Sequence, residues 1–247
     1  MSSFYTLFHA DSVGSVVPLI MLRVLELPHE VIELDFEETV ARKNSPALQR
    51  LLKANPLAQF PTLVAPDGTV ITEMSAVLLY LVHRHGRNTS WDLDKLSHAQ
   101  LGAFYRLMVF VPAVVYPSIT YTEFPERYIE VPEAYTEQKK DIMEWMVVAG
   151  EKKKTEAYEL LESIIRDFNE QEYGSGSPPS RFALSTPHPT VLDVMLAVVA
   201  HWAAKPRPKW LQGHCPRLFL VAQSTVNLPG IVDSFKESVD LDQFVSK

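Results

Sequence analysis

Apolar residues recur along this chain in two different rhythms. From position 4 to 86, short continuous or alternating apolar runs are interleaved with short segments of 3.6-residue period. After Asp94 nearly everything carries helical periodicity with little β-branched alternation. In the first part, 4–8 reads as a strand, 15–27 as an amphipathic helix that Pro28 punctuates, and 31–34 as a second, parallel strand, which together make a βαβ unit. A short helix follows over 45–53, then a hairpin of strands 62–64 and 70–72 around the turn residues Pro66, Asp67 and Gly68. A last helix runs over 73–85. It ends on His83, Arg84, His85, Gly86 and Arg87, the cations and glycine that a helix C-terminus favours.

The later helices are predicted over 95–111, 136–169, 190–203, 216–225 and 230–237, with GSGSPP at 174–179 as a loop between two of them. Thr190-x-x-Asp193 ahead of an apolar run is a capping-box start and is assigned to folding. Two domains are expected, 1–86 and 95–247, joined by a linker over 87–94 that Trp91 pins between them. There is no internal repeat.

Composition narrows the function. Of 247 residues, 47% are apolar, enough for a packed core, and the net charge of −7 is scattered rather than gathered into a basic stripe, which argues against a nucleic-acid partner. The N-terminus starts on a short apolar strand without the basic and apolar regions of a secretory signal. The longest apolar stretches, 107–116 and 191–200, are half the length that crosses a bilayer and read as buried helix, so no membrane partner is expected. The single cysteine, Cys215, cannot close an internal disulfide, which suits a reducing, cytoplasmic compartment. His9, His98, His188 and His201 have no mutual spacing of metal ligands, and no metal is expected.

Four segments carry chemistry: NPLAQFPTLV (55–64), with Pro61 immediately before a strand; TEMSAVLLYL (72–81), at a helix start; ARKNSPAL (41–48); and LFHADSVGSVVPLIML (7–22), which joins the first strand to the first helix. Together with the element order βαβ, α, ββα and the all-helical second half, they resemble the glutathione transferase superfamily. The resemblance spans nearly the whole chain, with a looser fit over 116–176. It implies an α/β thioredoxin-like N-terminal domain that binds glutathione and an all-α C-terminal domain.

The resemblance also implies roles. The proline matching Pro61 is cis in such proteins, which turns the backbone N–H and C=O of the preceding residue, here Phe60, outward to pair with the cysteinyl unit of glutathione. Glu73 would face the γ-glutamyl α-amino group, and the open helix N-terminus would take its carboxylate. Met74 stands where the family has serine and would keep its backbone N–H on the ligand, while Ser75 beside it is expected to substitute for the missing hydroxyl. Lys43 would hold the glycyl carboxylate, with Arg42 and Gln49 as weaker candidates, and Gln59 sits where relatives place a ligand-facing glutamine. The 7–22 segment is similar both to the zeta pattern Ser-Ser-Cys-Ser, which puts Ser12 and Ser15 at its ends, and to the bacterial beta pattern, which puts Gly14 and Ser15 on Cys-Ser and matches Pro18. Neither alignment leaves a cysteine at the active position, and Phe8 and His9 stand where a tyrosine-type site would need Tyr.

A serine-type site remains. Ser12 is expected to stabilise the glutathione thiolate, and Ser15 is expected to cap the helix that follows and to belong to the glutathione-binding set, with Pro18 inside the first turn where no N–H partner is needed. Lowering a thiol pKa of about 8.5 by about two units takes roughly 2.7 kcal/mol, within reach of one hydroxyl and a helix N-terminus. His9, Tyr105, Arg106, Phe110, Tyr116 and Tyr121 are the expected walls for an apolar, electrophilic second substrate. The activity expected is transfer of glutathione to that molecule, or glutathione-dependent cis/trans isomerisation of its double bond, in specialised metabolism. The alternative, which Met74 favours, is a non-catalytic binding or scaffold protein of the same fold. A homodimer is expected by resemblance.

Overall fold

The strand Tyr5–His9 (β1) is the centre around which the N-terminal domain is laid down: Leu7 is wholly buried, and β1 is flanked on both sides by other strands. A computed structural model of the chain describes residues 3–176, 178–205, 207–238 and 243–246. After β1 come helix α1 (Val16–Val24), strand β2 (His29–Glu33), the short helix α2 (Phe36–Val40), α3 (Pro46–Ala54), strands β3 (Thr62–Val64) and β4 (Val70–Thr72), and α4 (Met74–His85). The sheet order is β2-β1-β3-β4. β2 runs parallel to β1 with Tyr5 opposite His29, and β3 is antiparallel to both β1 and β4, with Leu7 opposite Leu63. This is the thioredoxin-like arrangement expected.

Local chemistry explains the element ends. Asp35 caps α2 by accepting the Glu38 N–H at 2.8 Å, and Ser45 caps α3 by accepting the Leu48 N–H at 3.1 Å, with Pro46 in the first turn where no N–H is needed. α2 escaped the sequence reading because five residues are too few to show a period. α3 covers one face of the sheet through Leu48 and Leu51 against Phe8 and Ile32.

The second half is helical: α5 (His98–Phe110), α6 (Tyr116–Glu123), α7 (Lys139–Tyr173), α8 (Val191–Ala200), α9 (Arg207–His214), α10 (Pro216–Val226) and α11 (Val232–Glu237). Of the 174–179 loop, Ser177 lies outside the described residues. α8 is buried along its whole length and is the axis of this domain. Its start is fixed by Asp193, which accepts from Ala183 N at 2.7 Å, Thr190 N at 2.7 Å and Thr190 Oγ1 at 2.9 Å. The Tyr158 hydroxyl of α7 donates to Val199 O near its end at 2.7 Å. Cys215 is fully buried beside them, and burial, with Glu162 and Glu159 nearby, pushes its thiol up to about 12, so it is an inert packed thiol. One continuous core joins the domains, with Leu7, Val17, Ile20 and Leu78 from the first meeting Phe104, Val111 and Met195 from the second.

One feature departs from expectation. α5 does not stop at Val111: a π-helical turn over Val111–Val115 carries it into α6, making a rod of 26 residues, His98–Glu123. The wide turn contains Pro112, which has no N–H to give to the helical ladder. By length and composition the rod could cross a bilayer. Phe104, Leu107, Met108, Val111 and Val115 along it are, however, buried in the shared core.

Candidate functional site

A cleft of about 830 Å³ opens between the two domains, and the N-terminal domain contributes three walls to it. The first is the turn between β1 and α1. Ser15, at its end, is wholly inaccessible: its Oγ accepts the Ala10 N–H at 3.2 Å and lies 2.9 Å from His9 Nδ1 and 3.2 Å from Ala10 O. Ser15 therefore neither faces a ligand nor caps α1 through its side chain; it ties the turn back onto β1. Folded over that knot, Ser12 sits at φ 57° with its N–H on Asp11 Oδ1, and Ser12, Val13 and Gly14 line the cleft.

The second wall precedes β3. The Phe60–Pro61 peptide bond is cis, as the resemblance implied. The turn ahead of it is held by Asn55, whose Nδ2 donates to Thr62 Oγ1 at 3.0 Å and whose Oδ1 accepts the Leu57 N–H at 3.1 Å, while Thr62 Oγ1 donates to Gln59 O at 2.8 Å. Gln59, Phe60 and Pro61 all line the cleft. Among the described residues, the Phe60 N–H and C=O have no hydrogen-bond partner in the chain.

The third wall is the start of α4. Glu73 stands there at φ 66°, exposed, with no side-chain bond capping the helix, so the first-turn N–H groups of α4 have no cap. Met74 is buried, and its sulfur lies 3.7 Å from where a Cβ on Gly14 would be. Ser75 does not compensate for the serine missing at Met74. Each helical step rotates a side chain by about 100°, which turns Ser75 away from the cleft, and its Oγ donates to Met108 O of α5 at 2.7 Å.

Lys43 is likewise outside the cleft, exposed and paired with Glu38 at 3.4 Å. Arg42, at φ 55°, reverses the chain after α2, so that Arg42 lines the cleft and its Nη2 donates to Leu57 O at 3.2 Å, while Lys43 is directed back to α2. Of the expected second-substrate walls, Tyr116 alone reaches the cleft. His9 is buried under the Ser15 knot, where burial holds its pKa below the ordinary 6.5. Tyr105 faces a separate surface depression near Arg87 and Leu93. Arg106 is exposed, Phe110 packs against the core, and Tyr121 packs at a tilt against Tyr128 with ring centroids 4.2 Å apart. The reason is register: α5 turns Phe104, Leu107 and Met108 inward, and its other faces lie outside the cleft.

Tyr116 owes its place to the π-helical turn, which delivers it at the start of α6. Its ring meets Trp202 edge-on at 5.6 Å, and its oxygen reaches across the domain boundary to within 3.7 Å of where a Cβ on Gly14 would be. Burial raises its pKa above that of an ordinary tyrosine, opposed by the Gly14 N–H. Sequence reasoning missed Phe36, Phe124, Arg127, Trp202 and Arg207, all of which line the cleft. The FPER tetrapeptide at 124–127 gave no periodic signal. Among the described residues, no group of three or more His, Cys, Asp or Glu side chains gathers as a metal site would require.

Comparison with known proteins places this geometry. Residues 15–84 match the family described as glutathione S-transferase, N-terminal domain. The chain has the glutathione transferase architecture. Along 227 residues, 91% of this chain and 94% of the relative, it is 25% identical to an uncharacterized GST-like protein, YncG, of Escherichia coli strain K12. Among solved structures, Ure2p in complex with glutathione superposes with a TM-score of 0.68 at 19% identity, covering 95% of this chain and 99% of that one. A glutathione transferase homologue from Lodderomyces elongisporus, solved with two glutathione molecules per subunit, gives a TM-score of 0.67 at 18% identity, over 94% and 97% of the two chains.

Proposed function

We infer that this chain binds glutathione in the interdomain cleft and presents its thiol, as the thiolate, to an electrophilic and mainly apolar small molecule. One observation carries the reading: the unpaired main chain of Phe60, the uncapped start of α4 at Glu73 and the turn bearing Ser12 converge on one cleft. The donor set suits the tripeptide. Phe60 offers one N–H and one C=O to a peptide unit, the α4 terminus offers N–H groups to a carboxylate, and Glu73 offers a carboxylate to an α-amino group. Arg42 takes over from Lys43 as the cation near Gln59. The presence of glutathione in Ure2p and in the Lodderomyces protein supports the same ligand here.

On this reading the site is serine-type, with the Ser12 hydroxyl as a donor to the sulfur anion. Retention of the adduct makes the protein a conjugating transferase; release after rotation about a double bond makes it an isomerase. Phe36, Phe124, Trp202 and Tyr116 give the second substrate an aromatic surround. Exposed Tyr105 and Val109 on α5 support pairing of two copies through that face, and a lone cysteine supports a cytoplasmic setting. On this reading the glutathione-binding domain is 1–86 and the helical domain 95–247, joined by the linker 87–94. Met74, an apolar thioether where the cleft wall would otherwise offer a hydroxyl to glutathione, favours a second reading, a non-catalytic binding or scaffold protein of the same fold.

Calorimetric titration with glutathione, followed by product analysis with glutathione and an aryl halide, tests this. Saturable binding and a thioether product are expected. No binding at millimolar glutathione rejects the first reading and supports the second, and binding without thioether product rejects the conjugating form of the first.

A further inference from the structure

Gly14 leaves a small open volume in the lining of the cleft. A Cβ built there would lie 3.7 Å from the Tyr116 oxygen, 3.7 Å from the Met74 sulfur and 3.9 Å from Pro61 Cδ. These are ordinary van der Waals separations, so the three side chains surround an atom-sized space without filling it. A ligand whose backbone paired with Phe60 would have Pro61, and with it this space, beside its side chain.

Resting on the glutathione reading above, we propose that Tyr116, supplied by the helical domain, is a catalytic residue whose phenolic O–H donates a hydrogen bond to the sulfur anion of bound glutathione. Three features of its setting carry this. The Tyr116 oxygen stands 3.7 Å from where a Cβ on Gly14 would be and borders the cleft, so its hydroxyl proton can be directed into the open space just described. Its ring is held edge-on by Trp202, so the hydroxyl is presented without freedom to swing away. Its helix is re-aimed at this point by a π-helical turn, a distortion that recurs at functional sites.

The chemistry is that of a donor. Burial keeps Tyr116 a phenol at neutral pH, so it stabilises the anion without removing a proton. The proton lost by the thiol goes to solvent, the phenol keeps its own, and the sulfur electron pair is left for the electrophile. Glu73, Asp11 and Glu123, which also line the cleft, are acceptors and offer an anion nothing. Tyr116 thus supplies the hydroxyl that Phe8 and His9 withhold at the end of β1.

The test is the ultraviolet thiolate absorbance of bound glutathione as a function of pH, in wild type, Tyr116→Phe and Ser12→Ala, with the affinity for S-methylglutathione measured alongside. Tyr116→Phe keeps the ring against Trp202 and is expected to fold. A charge-assisted hydrogen bond corresponds to about one to two pKa units. The thiol of the Phe variant should therefore titrate about one unit or more higher, lowering the thiolate-to-thiol ratio at neutral pH about tenfold, while S-methylglutathione binds as before. An unchanged thiol titration in the Phe variant, with the shift confined to Ser12→Ala, overturns the role of Tyr116 and leaves glutathione binding intact. Weakened S-methylglutathione binding without a titration shift makes Tyr116 a packing residue, and overturns it too. Failure of the wild type to bind either ligand removes the glutathione reading itself.

Discussion

Phe36 of α2 and Phe124 at the end of α6 meet across the mouth of the cleft with ring centroids 5.6 Å apart. The Arg127 guanidinium lies over both rings, 4.0 Å from the Phe124 centroid and 4.9 Å from that of Phe36. This is the clasp between the helical domain and the segment that leads to Arg42. An aromatic pair of this kind contributes about 0.5–1.5 kcal/mol beyond its burial, enough to matter to a five-residue helix but not to the whole fold. Phe124→Ala should raise amide exchange over 36–40 several-fold while leaving the global unfolding midpoint nearly unchanged. Unaltered exchange in that segment would show that α2 is held by its own Asp35 cap.

The start of α8 is far less tolerant. Asp193 is wholly buried and serves two backbone N–H groups and one hydroxyl at once. Asp193→Ala leaves the buried Ala183 and Thr190 amides without an acceptor, at about 1–3 kcal/mol each, so a loss of roughly 3 kcal/mol is expected in denaturant unfolding. Ser97→Ala at the exposed capping box of α5, where Ser97 Oγ accepts the Gln100 N–H at 3.2 Å, should cost about 1 kcal/mol. Equal losses at the two sites would mean that burial does not set the difference between the two caps.

These two caps also mark what the chain's pattern could and could not reveal. Strands β3 and β4 and the box at Thr190 and Asp193 were legible because hairpin turns and caps are local chemistry, written in adjacent residues. The cis bond at Pro61 was legible only through resemblance. Ser15, Ser75 and Lys43 were misplaced as ligand-facing groups. In each case the residue type was right but a neighbouring residue took the direction: the Ser15 hydroxyl is drawn back to Ala10, Ser75 is one helical step too far, and Lys43 follows a left-handed Arg42. Tyr116 was picked out as an aromatic wall. Its approach to Gly14 depends on a π-helical turn and on the packing of two domains, and no local pattern encodes either.

Stability should depend on pH through His9. Burial holds its folded pKa below 6.5, opposed by Asp11 and Glu33, so below about pH 6.5 the unfolded chain binds a proton that the folded one refuses. Stability is therefore unaffected above that pH, falls as pH drops through the window below it, and levels off beneath the depressed folded value. His85, lowered by burial and by Arg84, acts in the same direction. Comparison with His9→Gln isolates the first contribution: the stability advantage of wild type over the variant should narrow between about pH 7.5 and 5.5. A gap that stays constant over that range would mean that His9 is not buried in the neutral form.

Two helical glycines have the same propensity penalty but opposite expected responses. Replacing Gly by Ala inside a helix gains about 0.5–1 kcal/mol from backbone entropy when the methyl has room. Gly102 in α5 has nothing within 4 Å of the new methyl, so Gly102→Ala should raise the unfolding midpoint. Gly150 in α7 is the point where α7 crosses α6, and a methyl there would stand 2.8 Å from Thr122 Oγ1, 3.2 Å from Thr122 N and 3.3 Å from Thr122 Cα. Two of those three atoms are backbone and cannot rotate aside, so the helices must separate. Such overpacking costs about 1–3 kcal/mol, more than the propensity gain, and Gly150→Ala should lower the midpoint. Because α6 carries Tyr116 at its other end, the same substitution should shift the thiolate titration of bound glutathione, whereas Gly102→Ala should not. A destabilised Gly150→Ala with an unmoved titration would show that the crossing of α6 and α7 does not set the position of Tyr116.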